Sequence, residues 1–415
     1  MRPDEVRALL WSFAYFFCLL ASYYVLRPLR DEMGVAGGVK NLHWLFTATF
    51  VVMLAAVPLF GALVARLPRQ RFVPLVYHFF AVNIAIFWLL LMFDVARTEV
   101  ARVFFVWISV FNLFAVSVFW SFMADLFVSD QGKRLFGFIA AGGSAGALAG
   151  PALTVWLAGP LGPVNLLIIA ALLLEAAVFC AHRLEGAAPK AAEPAQRGPQ
   201  QATRSPIGGN AFAGFALLFR SPYLSGIALW VLLLSIAGTF LYFQQANIVA
   251  AASKDPAVRT RIFASIDLAA GILTLIVQTL ATGRLIERFG IGRAAAFLPF
   301  IFGVGFAALA MSPVLALVVA FQAIQRTANF SISNPAREVL FTAVDREEKY
   351  KAKYLIDGVV FRGGDALSGW LFDLLRAAGV ELSMISAGTV PVAAVWMALA
   401  LLLGRAHERR ARSQH

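Results

Sequence analysis

GRLIERFGIGR, residues 283–293, repeats a pattern first met in GALVARLPRQR, residues 61–71. Each stretch follows an apolar run, places a Gly five residues before an Arg, and has more Arg beyond the turn. Residues 124–150 and 337–369 also correspond, and each contains a Gly-Gly pair. An internal repeat on this scale predicts two similar halves, an arrangement typical of secondary transporters that bind substrate where the repeats meet.

The composition indicates an integral membrane protein. The chain has 415 residues, 60% hydrophobic and 14% charged, against about 25% charged in soluble domains, and its mean hydropathy is +0.77. The formal charge of +12 does not indicate a nucleic-acid partner, because Lys and Arg collect in short loops, as in polytopic membrane proteins. No His, Cys and carboxylate cluster has metal-binding spacing, and no nucleophile accompanies a base. We therefore expect no metal, no cofactor and no enzymatic activity.

Apolar runs of about 20 residues, long enough to cross a bilayer, recur along the whole chain. They fall at 9–30, 42–65, 71–93, 102–127, 134–157, 161–181, 222–250, 261–286, 291–311, 313–336, 352–376 and 383–404. A polar stretch rich in Pro, Gln and Ala, at 182–210, separates the first six from the last six and is predicted to be a flexible linker. We predict an all-α membrane protein with twelve transmembrane helices in two pseudo-symmetric six-helix bundles, at residues 1–181 and 211–415.

The orientation follows from the basic residues. With the N-terminus inside, Lys and Arg are in excess in the cytoplasmic segments, as the positive-inside rule requires. The sequence thus predicts a multi-pass protein of a bacterial inner membrane with both termini and the linker in the cytoplasm. We expect a monomer surrounded by the lipid bilayer.

The repeated loop, Gly-x-x-x-(Asp/Glu)-Arg-x-Gly-x-x-Arg, resembles the loop signature of the major facilitator superfamily. The second copy keeps the signature at Gly283, Glu287, Arg288, Gly290 and Arg293. In the first copy Ala65 replaces the acid and Pro68 replaces the second Gly. The resemblance implies a cytoplasmic charge latch, and only the second copy, with Glu287 beside Arg288, retains the acid to serve it.

Glycines recur at four-residue spacing in the fifth span, at Gly142, Gly146 and Gly150. On a helix they share one face, where the absence of side chains lets a second helix approach closely. We interpret them as packing residues, since no Gly-Lys-Ser/Thr follows to make a phosphate loop.

Two arginines end the first span, in YYVLRPLRDEMG (23–34). Arg27 and Arg30 are three residues apart and share a helix face. Two guanidinium forks on one face suit phosphate or carboxylate, which they can bind bidentately. Alternatively, they extend to the outer interface or pair with Asp31 and Glu32.

Ionisable residues also enter the tenth and eleventh spans, namely Arg326, Arg337, Lys353, Asp357, Arg362 and Asp365. Such groups cost roughly 2.5–3.5 kcal/mol each at membrane depth, so they persist where they pair, face a cavity or bind a ligand. Lys353 and Asp357 are four apart and can form an intrahelical salt bridge. Arg326 lies deep in an apolar run and needs a counter-charge or a wet cavity.

Other polar residues inside the spans have two interpretations. Gln244 and Gln245 in the seventh span and Asp267 in the eighth either line a polar route or bond neighbouring helices. Glu175 in the sixth span and Asp125 in the fourth are candidate proton-coupling sites. Asp125 lies near the cytoplasmic end, where we expect it to pair with a nearby basic residue.

The stretch SISNPAREVLFTAVDREEKYKAKYLID (331–357) resembles a pattern of the ATP/ADP (nucleotide) translocase family, a branch related to the major facilitator superfamily. The pattern is Asp/Asn-Pro-x-basic-Glu, then an acid, Lys-x-Lys-x-Lys and Ile-Asp. It matches at Asn334, Pro335, Arg337, Glu338, Asp345, Lys349, Lys351, Lys353, Ile356 and Asp357. The first span is similar to the family as well, at Leu26-Arg27 and Arg30-Asp31.

This resemblance implies nucleotide exchange, with Arg30 and Lys353 contacting phosphate. The chain departs from the family at Gln244, Gln245 and Gln131, which stand near acidic positions of the family pattern. The loss of these acids alters the charge balance on which the exchange of differently charged nucleotides depends.

We therefore predict a secondary transporter that alternates access between two bundles and exchanges nucleotides or another small phosphate-bearing anion. The residues expected to meet the substrate across the cavity are Arg27, Arg30, Gln244, Gln245, Arg326, Arg337, Lys353 and Arg362. The residues expected to pair charges or couple ions are Asp31, Asp125, Glu175, Asp267, Glu287, Arg288, Glu338, Asp357 and Asp365. One alternative is a proton-coupled symporter or exporter of another solute, using Glu175, Asp267 or Asp365. The other is a non-transporting membrane scaffold or sensor on the same fold.

Overall fold

The structure, a computed structural model, describes residues 3–66, 69–127, 129–187, 218, 220–344, 348, 352–353 and 355–413. Every secondary-structure element within these ranges is helical. In chain order the α-helices are α1 (Pro3–Ala36), α2 (Leu42–Arg66), α3 (Arg69–Met92), α4 (Arg97–Leu126), α5 (Ser129–Leu157), α6 (Leu166–Ala187), α7 (Pro222–Ala252), α8 (Pro256–Leu280), α9 (Thr282–Met311), α10 (Leu315–Ala328), α11 (Asn334–Leu340), α12 (Phe361–Ala377) and α13 (Leu382–Ser413). Short 3-10 helices cover Val39–Asn41 and Phe341–Ala343.

Ten helices in the described part of the chain are long and apolar enough to cross a membrane. They correspond to ten of the twelve predicted spans, and the predicted all-α membrane fold is confirmed. The remaining two, the tenth and eleventh, are helical but interrupted. A π-helical turn at Asn329–Ser333 joins α10 to α11, and a second at Ile356–Val360 leads into α12.

In both π turns the backbone hydrogen bond spans five residues instead of four. The amide of Asn334 bonds the carbonyl of Asn329, and the amide of Phe361 bonds the carbonyl of Ile356. Side chains support the first turn, because Thr282 Oγ1 donates to the carbonyl of Ser331 at 2.8 Å. Such turns are rare and occur frequently at functional sites.

The chain divides into two compact units. Unit 1 comprises Met1–Val39, Val51–Gln201 and Ser253–Leu268, and unit 2 comprises Lys40–Phe50, Ala202–Ala252 and Ala269–His415. The starts of α2 and α8 thus each cluster with the half of the chain to which the sequence did not assign them. The predicted linker, 182–210, lies outside the described residues from 188 onward, so its bounds stay a prediction.

Unit 1 is built around close contact between α1 and α5. A Cβ added to Gly142 would come 2.5 Å from the carbonyl oxygen of Phe13, and one added to Gly150 would come 2.7 Å from that of Ala21. The predicted packing role of the glycines in α5 is confirmed, because any side chain on this face would meet the backbone of α1.

The buried interior of unit 1 also contains a short hydrogen-bonded chain. Tyr15 donates to the hydroxyl of Tyr77 at 2.8 Å, and Tyr77 donates to the carbonyl of Ala115 at 3.1 Å. Neither tyrosine is exposed. Phe16 and Phe119 stack beside them with ring centroids 4.0 Å apart. The chain ties α1, α3 and α4 together and leaves neither hydroxyl without a partner.

Unit 2 is organised around aromatic residues between α7, α9 and α13. The ring of Trp396 lies 5.6 Å from that of Trp230 and 5.5 Å from that of Phe302, measured between centroids. Gly292 and Gly404 face each other so closely that a Cβ on Gly404 would overlap the backbone of α9.

Candidate functional site

Two arginines at the end of α1 lie beside buried carboxylates in unit 1. Arg27 Nε is 3.7 Å from Asp267 Oδ2, and Arg30 Nη1 is 3.9 Å from Asp31 Oδ1. The arginine side chains are 20% and 21% exposed, whereas those of Asp267 and Asp31 are 1% and 4% exposed. Both separations exceed hydrogen-bonding distance. These are ion pairs whose guanidinium donors are left over.

An aromatic ring fixes the guanidinium of Arg30. Its Cζ lies 4.2 Å from the ring centroid of Phe105, within cation–π range. Its Nε is buried and bonds no other part of the described chain. The ring covers one face of the guanidinium, so the N–H groups along its edge are the ones that can still donate.

The neighbouring pair, Glu32 and Arg259, is built differently. Arg259 Nη2 donates to Glu32 Oε1 at 2.6 Å, and Arg259 Nη1 also bonds the carbonyls of Ser253 and Lys254, at 3.3 and 3.0 Å. The side chain of Arg259 is 11% exposed and that of Glu32 is 3% exposed. Sequence analysis did not single out Arg259, which here ties the start of α8 to α1.

In unit 2, Arg337 and Lys353 each lie beside a carboxylate. Arg337 Nη1 is 3.2 Å from Asp357 Oδ1, but neither Arg337 Nε nor that oxygen has a hydrogen-bond partner among the described residues. Lys353 Nζ bonds both oxygens of Glu338, at 2.7 and 2.6 Å. The salt bridge suggested between Lys353 and Asp357 is therefore wrong. Asp357 pairs with Arg337 instead.

The carboxylate of Asp365 on α12 lies beside two hydroxyl groups of α7. Ser235 and Thr239, one turn apart on α7, donate to Asp365 Oδ1 at 2.7 and 3.2 Å. Arg362 Nη1 is 3.5 Å from Oδ2, and the side chain of Asp365 is 14% exposed. The role of these two hydroxyls was not predicted, because a Ser or Thr in an apolar helix has no recognisable sequence pattern and its partner lies on another helix.

A polar stripe follows one face of α10 into its π turn. Its members recur at three- to four-residue spacing, namely Gln322, Gln325, Arg326, Asn329 and Ser333. Gln325 Nε2 donates to Gln322 Oε1 at 2.8 Å. Asn329 Oδ1 and Ser333 Oγ are buried and have no hydrogen-bond partner in the described ranges. Sequence analysis identified only Arg326 of this stripe.

The two predicted amides on α7 differ from each other. Gln244 Oε1 accepts from Ser386 Oγ at 2.9 Å, so this glutamine bonds a neighbouring helix. Gln245 is fully buried, and neither polar atom of its amide has a hydrogen-bond partner in the part of the chain that the structure describes.

The remaining predicted residues are all at least partly exposed. Glu175 Oε1 is 3.0 Å from Nδ1 of His78, and both side chains are about half exposed, at 44% and 52%. Asp125 is exposed near the end of α4, and Glu287 and Arg288 are exposed on α9. Among the described residues, no group of three His, Cys, Asp or Glu side chains is placed to hold a metal ion.

Several of the arginines differ in the hydrogen bonds that they make. Four of those in or beside the clusters donate none to any described residue, namely Arg27, Arg30, Arg337 and Arg362. Others bond backbone carbonyls, namely Arg102, Arg259, Arg261 and Arg376.

A family model described as Major Facilitator Superfamily matches residues 8–347. The fold is similar to that of a variant of nucleoside transporter NupG, with a TM-score of 0.63 and 14% identity over 98% of this chain and 99% of that one. It is similar to an auto-inhibited POT family peptide transporter, with a TM-score of 0.63 and 15% identity over 98% of this chain and 97% of that one. It is also similar to a bacterial homologue of the iron transporter ferroportin, with a TM-score of 0.65 and 13% identity over 97% of this chain and 98% of that one. No curated protein matches the sequence.

Proposed function

Since the chain belongs to the major facilitator superfamily, and is by family and fold a multi-pass membrane transporter, we propose that its substrate is a phosphate-bearing anion. The specific form we propose is an antiporter that exchanges nucleotides. Arg27 and Arg30 would bind the phosphate group in unit 1. Arg337 and Arg362 would offer a similar cationic surface in unit 2.

The unused guanidinium donors of Arg27 and Arg30 carry this proposal. A guanidinium has five N–H donors, and a buried donor without a partner costs about 1–3 kcal/mol. A phosphate accepts two parallel hydrogen bonds from one guanidinium, and such charge-assisted bonds are about twice as strong as neutral ones. A bound phosphate would therefore satisfy the buried Nε donor of Arg30 and replace ion pairs whose atoms stand 3.7–3.9 Å apart.

The carboxylates give a reason for exchange rather than one-way release. Asp31 and Asp267 are nearly fully buried and balance the arginines when no substrate is bound. An arriving anion replaces this partial pairing with hydrogen-bonded contacts, and its departure restores the weaker pairing. A second anion would make the departure less costly, which favours antiport.

The family resemblance implies phosphate contacts at Arg30 and Lys353, and Lys353 is the less available of the two. It already bonds both oxygens of Glu338, and its ammonium would have to leave that carboxylate to meet a phosphate. Arg30 makes no hydrogen bond to another described side chain. We therefore place the principal phosphate contact at Arg30.

Counterflow in proteoliposomes tests the proposal. Vesicles loaded with ADP should take up labelled ATP, and Arg30→Gln should reduce the uptake at least about tenfold, since a lost hydrogen bond to a charged group costs about 1.5–3 kcal/mol and 1.4 kcal/mol is a factor of ten. Arg376→Gln is the matched control, because Arg376 lies at the exposed end of α12 and bonds only the carbonyl of Val380.

Thermal unfolding of each purified variant shows whether it is folded before its flux is compared. The proposal fails if the wild-type protein exchanges no nucleotide or phosphate ester, or if a folded Arg30→Gln variant matches the control. No flux of any anionic metabolite would favour a non-transporting scaffold.

A proton-coupled symporter is the second candidate, on the evidence of Asp365. Its carboxylate is mostly buried on α12 beside Ser235 and Thr239, and ionisable residues buried in membrane helices commonly mark ion or proton routes. Uptake driven by an imposed pH gradient, and abolished by Asp365→Asn, would favour this function over nucleotide exchange.

A further inference from the structure

A histidine near the start of α2 lies outside the arginine clusters. His43 belongs to unit 2, and its side chain is 8% exposed. Its Nδ1 is 3.6 Å from Asp373 Oδ1 on α12, and this nitrogen has no hydrogen-bond partner within the described ranges. A buried polar atom without a partner needs an explanation, and here a carboxylate lies just beyond bonding distance.

The surroundings hold the imidazole firmly in place. The ring centroid of Trp370 is 4.3 Å from that of His43, and Trp44 lies 4.8 Å from Trp370 on the same measure. Trp370 Nε1 donates to Thr47 Oγ1 at 3.0 Å, one turn after His43. A Cβ on Gly369 would come 3.2 Å from His43 Cα, so α12 passes close to α2 at this point.

Among the described residues, one carboxylate lies within 4 Å of this imidazole. Asp373 faces it from α12, and Lys40 precedes it by three residues on the short 3-10 helix. Arg376, also on α12, directs its Nη1 to the carbonyl of Val380 instead. From α7, the ring of Tyr242 packs against Phe46, three residues after His43 on α2. Asp373 is therefore the group that a charged imidazole would meet.

We propose that His43 and Asp373 form a proton-binding site on which transport depends, an inference that rests on the proposed transport function. A proton from water binds the imidazole, whose two ring nitrogens then both carry donors. The imidazolium and Asp373 form a charge-assisted hydrogen bond. The ring of Trp370 adds cation–π attraction. Proton binding thus strengthens the contact between α2 and α12 inside unit 2.

Histidine changes its charge between about pH 5 and 8, so the effect falls in an accessible range. The two tryptophans beside His43 serve as reporters, because their indole rings lie against its imidazole. The intrinsic fluorescence of the purified wild-type protein should change with pH between about 5 and 8. The change should be lost in His43→Gln and reduced in Asp373→Asn, which removes the carboxylate that the charged ring would bond.

His78→Gln is the matched control, since His78 also lies 3.0 Å from a carboxylate, that of Glu175, but is about half exposed and belongs to unit 1. It should keep the fluorescence change. A wild-type protein whose fluorescence is flat over this range, or a His43→Gln variant that keeps the change, would overturn the proton site.

Anion counterflow between pH 5.5 and 8 tests the consequence for transport. Wild type and His78→Gln should vary with pH, and His43→Gln should lose that dependence. A His43→Gln variant that retains the wild-type profile overturns the link to transport. If no protein exchanges any anion at any pH, the proposed function and the link to transport fail together, whereas the fluorescence titration still decides the proton site.

Discussion

Replacing Arg259 by Gln would leave a carboxylate inside unit 1 without its counter-ion. Glu32 is 3% exposed and receives a bond of 2.6 Å from Arg259. Removing one partner of a buried ion pair costs about 3–5 kcal/mol, because the other charge remains buried. We expect Arg259→Gln to lower the free energy of unfolding by that amount.

The reverse change should cost less. In Glu32→Gln, Arg259 keeps its bonds to the carbonyls of Ser253 and Lys254, so the loss approaches the value of one hydrogen bond to a charged group, about 1.5–3 kcal/mol. The double variant replaces both charges by amides and should be more stable than Arg259→Gln alone. A double-mutant cycle isolates the coupling between the two side chains.

Reversible unfolding in mixed detergent micelles measures these energies, with Arg183→Gln, an exposed arginine at the end of α6, as the control. The reasoning is refuted if Arg259→Gln unfolds within about 0.5 kcal/mol of the control, the range of ordinary surface substitutions. It is refuted as well if the cycle gives no coupling.

Two further predictions concern the interior of unit 1. Gly146→Leu places a side chain against the carbonyl of Phe17 on α1. It should lower the free energy of unfolding by at least about 1–3 kcal/mol, as overpacking does. A melting temperature equal to that of wild type would contradict the close packing. Tyr77→Phe removes the hydroxyl between Tyr15 and Ala115 and should cost about 1–3 kcal/mol for the polar groups left unpaired, whereas an unfolding midpoint that does not change would mean that another group satisfies Tyr15.

The sequence was sufficient for features that depend on local composition. The apolar runs predicted ten helices that the structure contains, because the length and hydropathy of a span are fixed within the span itself. The glycines of α5 were predictable for a similar reason, since four-residue spacing on one helix already defines a face.

Partners across the fold could not be predicted in this way. Asp267 neighbours Arg27 only because the start of α8 packs in unit 1, and no spacing rule joins positions so distant in sequence. The role of Ser235 depends on Asp365, which lies on another helix and accepts its hydrogen bond. His43 was overlooked because a single histidine in an apolar run has no motif, and its importance lies in a carboxylate on another helix.

The two π turns have a consequence for how this chain tolerates insertions and deletions. Because each turn closes its backbone bond over five residues instead of four, each contains one residue more than an α-helix needs. Deleting one residue from 329–333 should therefore leave a regular helix whose flanking faces keep their phase, whereas a deletion elsewhere in α10 would rotate every later side chain by about 100°. The deletion would remove the irregular carbonyl that Thr282 now bonds. Gaps in alignments of related chains should accordingly collect at these two places.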